Sequence, residues 1–121
     1  MIVLGVDPGF ERIGFGVVSR DGSRLRPIEH GLICTPRIAL ADRLAMLHEQ
    51  LGELIDRVGP DELAIERLLF SVNKKTAMDV AKAVGCILLC GAQRGYLWNE
   101  YTPPEIKQAV VGNGAADKRQ V

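Results

Sequence analysis

The sequence predicts a single α/β domain built on a mixed five-stranded sheet flanked by helices on both faces. Three observations carry this expectation. Short apolar runs bounded by turn residues open the chain, two longer stretches place apolar residues at three- and four-residue spacing, and strands alternate with those stretches in the second half. A chain of 121 residues can bury one core but leaves nothing for a second domain. Its 47% hydrophobic and 25% charged content is ordinary globular usage, which excludes disordered, collagen-like and disulfide-scaffold classes.

Ile2 to Val6 is a continuous apolar run ended by Pro8-Gly9, as expected for a central strand covered on both faces. Ile13 to Ser19 and Leu25 to Cys34 follow as strands, joined by Arg20-Asp21-Gly22-Ser23, whose Asp-Gly is a hairpin signal. An antiparallel meander results. From Ala39 to Val58, Leu40, Leu44, Leu47, Leu51, Leu54 and Val58 form one apolar stripe with charges between them, an amphipathic helix stopped by Gly59-Pro60. Leu63 to Ile65, ending at Glu66, is reached by this helical crossover and so should run parallel to its neighbour.

The stretch from Asn73 to Arg94 is a second helix with Ala77, Val80, Ala81, Val84, Ile87 and Leu88 on one side, and Met78, Ala83, Cys86 and Cys90 elsewhere. So much apolar surface around one helix requires cover on more than one face, from sheet and helix together or from a partner subunit. Tyr96 to Tyr101 is the last strand. Pro103-Pro104 opens a short helix to Ala109, Gly112-Asn113-Gly114 is a loop, and residues 115–121 read as the first turns of another helix. Three strands, helix, strand, helix, strand, helix is the order of an RNase H-like fold.

No apolar run approaches the length of about 20 residues that spans a bilayer. The opening residues lack a basic region and read as a strand, so neither a signal peptide nor a membrane partner is expected, and the protein is expected in the cytoplasm. Cys34, Cys86 and Cys90 form no Cys-x-x-Cys pair, which argues against a disulfide framework or a zinc site. Cys86 and Cys90 read as small apolar residues of a buried helix, and His30 and His48 as structural or solvated. The formal charge is zero but unevenly spread: residues 1–66 hold seven Arg against eleven acids, and residues 67–121 hold eight Lys or Arg against four, including all five lysines. A basic surface beside an acidic site suits a polyanion bound through metal ions.

Asp7 follows the first strand and Glu66 closes the fourth. Parallel neighbours lie about 4.8 Å apart, and two carboxylates at that spacing repel unless a divalent cation lies between them. Magnesium, or manganese, would accept their oxygens and keep waters for substrate, so the pair is half of a metal site for phosphodiester hydrolysis. Taken singly, Asp7 also reads as an Asx-type turn residue and Glu66 as a strand-end acid paired with Arg67. Their shared position at the ends of two adjacent apolar strands favours the metal reading, because a carboxylate there is costly without a partner.

Val3-Leu4-Gly5-Val6-Asp7-Pro8-Gly9 with Gly14-Phe15-Gly16, then Ala64-Ile65-Glu66-Arg67 leading to Asn73-Lys74, then Thr102-Pro103 leading to Val110-Val111-Gly112 and Ala116-Asp117-Lys118, resemble the RuvC Holliday-junction resolvases over essentially the whole chain. The resemblance implies a structure-specific endonuclease that cuts four-way junction DNA in recombination and repair. It also implies that Asp7 and Glu66 are two members of a metal-binding tetrad. The other two would lie on a final helix some twenty residues past Val121, so residues 1–121 are expected to form one nuclease domain lacking that helix. Lys107 and Lys118 match basic positions linked to junction binding and catalysis. A homodimer joined through the helix 73–94, a branch-migration helicase partner and a nucleoid-associated location are implied in the same way.

Many relatives carry an aromatic wedge three residues after the glutamate. Here that position is Leu69, followed by Phe70, which either takes over the wedge or closes the core. Lys74 and Lys75 are assigned to phosphate contact. Two other function classes are open from the sequence. With only two carboxylates the chain could be an inactive junction-binding or dimerisation module, and Asp7-Pro8-Gly9 with Gly14-Phe15-Gly16 also suits an actin-like ATP-binding fold, which needs a second domain.

Overall fold

The computed structural model describes residues 1–9, 11–66 and 74–101, with the side chains of 74–76 and 101 excepted. The elements run β1 (Ile2–Asp7), β2 (Arg12–Asp21), β3 (Arg24–Cys34), α1 (Leu40–Val58), β4 (Glu62–Glu66), α2 (Lys74–Gln93) and β5 (Trp98–Tyr101). One five-stranded sheet has the order β3-β2-β1-β4-β5. β1 pairs antiparallel with β2 and parallel with β4, which makes it the central strand.

The β2–β3 hairpin closes at Gly22, whose φ of 63° is the left-handed conformation that glycine adopts without steric cost. α1 ends where Gly59 takes a left-handed cap and returns its amide to the Ile55 carbonyl. β5 starts two residues later than the Tyr96 expected from the apolar pattern. The Tyr96 amide donates to the Gly91 carbonyl and its hydroxyl donates to the Pro60 carbonyl, so Tyr96 serves the α2 terminus and not the ladder. The helix 103–109, the loop 112–114 and the helical turns 115–121 expected from the sequence lie outside the described residues.

Alternation along each strand separates two faces. Leu4, Val6, Ile13, Val17, Ile33, Leu63 and Ile65 point to one of them, where Leu47, Leu51, Leu54 and Ile55 of α1 and Ala83, Ile87 and Cys90 of α2 complete the core. Fully burying side chains of this kind is worth about 1.5–3 kcal/mol each. Both described helices therefore cover the same face. A Cβ on Gly91 would run into the Trp98 indole and Leu63, so glycine lets β5 and α2 close on each other, and the Trp98 Nε1 donates to the Leu88 carbonyl at 3.2 Å. α1 and α2 are also joined by His48 Nε2 to Gln93 at 2.7 Å and by Arg94 to Asp56 at 2.8 Å.

Two expectations change. Ile87 is buried and Val84 and Leu88 pack on the core as expected, but Ala83 and Cys90 are buried beside Ile87 while Ala81 is exposed. Met78 and Leu89 stay exposed, so the predicted surplus of apolar surface on α2 is present. Arg43, expected among the solvated charges of α1, is buried at 8% exposure, with its Nε donating to Thr35 Oγ1 at 3.2 Å. Cys90 is buried, Cys86 half-buried and Cys34 exposed. Burial pushes the Cys86 and Cys90 thiols up, in keeping with an inert packing role.

Candidate active site

The sheet presents its second face without a described helix over it. The register places Asp7, Gly5, Gly14, Gly16, Ala64 and Glu66 on this face. Asp7 and Glu66 are the last residues of β1 and β4, one step beyond the paired Val6 and Ile65, so parallel pairing sets their side chains beside each other. β1 brings the acid out of the core into the open, because Val6 is buried and Asp7 exposed.

The chain turns sharply after Asp7. A Cβ on Gly9 would collide with the Arg12 carbonyl, so only glycine lets the chain fold back into β2 here. β2 then sets Gly14 opposite Asp7, where a Cβ would lie 3.7 Å from the Asp7 Cβ, and around Gly16 there is open space. The two acids thus stand at the rim of a glycine-paved surface.

The Glu66 carboxyl is pushed up to about 7, first by burial, then by the neighbouring Asp7 through hydrogen bonding and charge. Glu66 therefore keeps its proton to a higher pH than an ordinary carboxyl does. Such a pair is poised to exchange that proton for a cation near neutral pH. Among the described residues no third His, Cys, Asp or Glu joins the pair.

Of the other residues singled out in the sequence, Lys74 and Lys75 begin α2, at the end of the sheet that carries Glu66. Their side chains, together with Arg67, Leu69, Phe70, Lys107 and Lys118, lie outside the described residues. His30 is exposed on the edge strand β3 and His48 bonds Gln93, both away from the acids. The glycine floor escaped the sequence reading, which took Gly14 and Gly16 only as motif members. The available signal was their joint parity with Gly5 once β1 and β2 pair.

The family model of the crossover junction endodeoxyribonuclease RuvC matches residues 3–121. The chain belongs to the RuvC family. A RuvC from Pseudothermotoga lettingae is 47% identical over 122 residues, covering 100% of this chain and 75% of the relative. Another from Halothermothrix orenii is 43% identical and is covered over 74% of its length. Among solved structures, RuvC of Thermus thermophilus superposes with a TM-score of 0.79 at 30% identity, over 99% of this chain and 75% of that one. The same TM-score of 0.79 is reached by T. thermophilus RuvC in complex with a Holliday junction substrate, at 28% identity over 91% of this chain and 69% of that one. The fold is accordingly that of the RNase H-like resolvases, as the order of elements predicts. Among the described residues no helix is long and apolar enough to cross a membrane.

Proposed function

We propose that this RuvC-family protein resolves four-way DNA junctions by metal-dependent phosphodiester hydrolysis, with Asp7 and Glu66 holding the metal. The observation that carries the reading is the pair of carboxylates that closes two parallel neighbouring strands on one face of the sheet. The donor set suits a hard divalent cation such as magnesium, with manganese as a substitute, because both ligands are carboxylates and the open space around Gly16 leaves room for water and phosphate oxygens. When bound, such a cation lowers the pKa of a water and offsets charge on the phosphate.

The residues of the chain supply the rest. Glu66 gives up its proton and, with Asp7, presents two negative charges to the cation. Gly14 and Gly16 let a sugar–phosphate strand approach the sheet without meeting a side chain. Lys74, Lys75, Lys107 and Lys118 are assigned to phosphates, where cations position DNA without reading its sequence, and Phe70 to wedging between junction bases. Exposed Met78 and Leu89 on α2 support a homodimer through that helix, which would present two such sites to opposed strands. A branch-migration helicase partner and a cytoplasmic, nucleoid-associated location complete the reading.

The deciding experiment is cleavage of a synthetic four-way junction against linear duplex in magnesium or manganese. Junction-selective nicking is expected. Equal cutting of both substrates, or cleavage that persists in chelator, would overturn the reading.

A further inference from the structure

The first residues of β2 set a charge beside the acids. Ile13 is buried against the helices, so Arg12 and Gly14 on either side of it project from the other face of the sheet, and Arg12 is exposed. Gly14 is the register partner of Asp7, and Arg12 lies two residues further along, past the end of β1. Diagonal neighbours of this kind are about 7–8 Å apart, a distance that a side chain as long as arginine covers. On the other side, β3 pairs Leu32 with Gly14 and Cys34 with Arg12. Leu32 is 60% exposed and Cys34 is exposed as well, so this corner of the sheet is accessible.

Among the described residues Arg12 donates no hydrogen bond and joins no ion pair, in contrast to Arg20 further along the same face of β2, which is held by Glu62 at 3.0 Å. Its five N–H donors are open to an anion. The acids create the need for one, because two carboxylates repel the phosphates of any strand brought to the cation between them. A guanidinium one diagonal step away offsets that repulsion, and its planar fork matches two phosphate oxygens at once.

We propose that Arg12 is a DNA-binding residue: it holds a phosphate of the strand that crosses Gly14, beside the phosphate at the proposed cation, and the same strand covers Leu32 and Cys34. The proposal rests on the junction-resolving reading above for the identity of its partner, and on strand register for the path of that partner over the sheet.

The test uses the full protein and a synthetic four-way junction in chelator, with affinity followed as a function of salt. Each phosphate neutralised on duplex DNA contributes about 0.9 to the slope of log affinity against log salt. Arg12→Gln should lower the slope by that amount and weaken binding about 10-fold at fixed salt, the loss expected for one charge-assisted contact. Arg12→Lys, which keeps the charge, should restore the slope. Arg24→Gln removes the same charge from the exposed start of β3, an 11-residue strand whose other end faces Arg12, and should leave the slope unchanged. Roughly 30 Å separates the two, well beyond the screening length. Bound junction should also slow alkylation of Cys34 by N-ethylmaleimide, mapped by mass spectrometry. An unchanged slope in Arg12→Gln, an equal loss in Arg24→Gln, or a Cys34 thiol that reacts as fast in the complex as alone overturns the proposal. A wild type that binds the junction but never cuts it sinks the nuclease reading alone, because every readout for Arg12 is taken without metal. A wild type that does not bind the junction overturns both.

Discussion

The two faces of the one sheet are built on opposite rules. On the helix-covered face β1, β2 and β4 carry branched or aromatic side chains, and the glycine there, Gly31 of β3, lies under the Phe15 ring, which a Cβ would strike. On the other face the strands carry Gly5, Gly14 and Gly16, with open space around Gly16. One face gains stability from contact. The other gives up that contact and keeps two acids together at its rim, where the proposed cation would bind. Residues facing the helices should therefore control folding, and residues facing away should control chemistry.

The largest expected effect breaks the chemistry without touching the fold. Asp7→Asn removes a proposed metal ligand and with it several kcal/mol of charge stabilisation, about 10³-fold in rate. Junction cleavage in a metal titration should fall by that order, while gel-shift binding of the junction and the melting temperature hold. Retained cleavage would separate Asp7 from the site.

On the opposite face Ile87→Ala, at a fully buried position between α2 and the sheet, should cost about 2–5 kcal/mol in denaturant unfolding. The cleavage rate of the still-folded fraction should be unaltered. A matched pair of glycine substitutions compares the faces directly. Gly31→Ala drives a methyl into the Phe15 ring and should destabilise by about 1–3 kcal/mol, whereas Gly16→Ala meets nothing and should change stability by less than about 1 kcal/mol. Equal costs for the two would mean that the open face is covered after all.

The smallest effect is a pH slope. Glu66 has its carboxyl raised from an ordinary value of 4.5 to about 7, so between those values the folded chain holds a proton that the unfolded chain has lost. Metal-free stability should fall as pH rises through that window, and metal affinity should rise over the same interval as the proton leaves. Melting temperature in chelator as a function of pH, wild type against Glu66→Gln, isolates the contribution; superimposable profiles would show that Glu66 titrates normally.

The sequence was most legible where a single element decides its own form. The leucine stripe of α1, the Asp-Gly hairpin and the apolar run of β1 each name their element, because period and turn chemistry are local properties. Asp7 and Glu66 could be proposed as a pair once β1 and β4 were inferred to be parallel neighbours. The face of α2 was legible only in part, since apolar residues surround the helix: Val84, Ile87 and Leu88 pack on the core as expected, but Ala83 and Cys90 join them and Ala81 does not. The burial of Arg43 is not legible in the sequence, where it is one of the charges between the leucines of α1.

By itself, then, the sequence determined the elements, their order and the two acids at the strand ends, since these arise from short-range periodicity and from residues that stop a strand. The tertiary structure alone decided that both acids share the face bare of described helices, that glycines pave the ground beside them, and that an arginine of α1 is buried. Those facts depend on strand register and helix rotation, which are settled by packing between segments tens of residues apart.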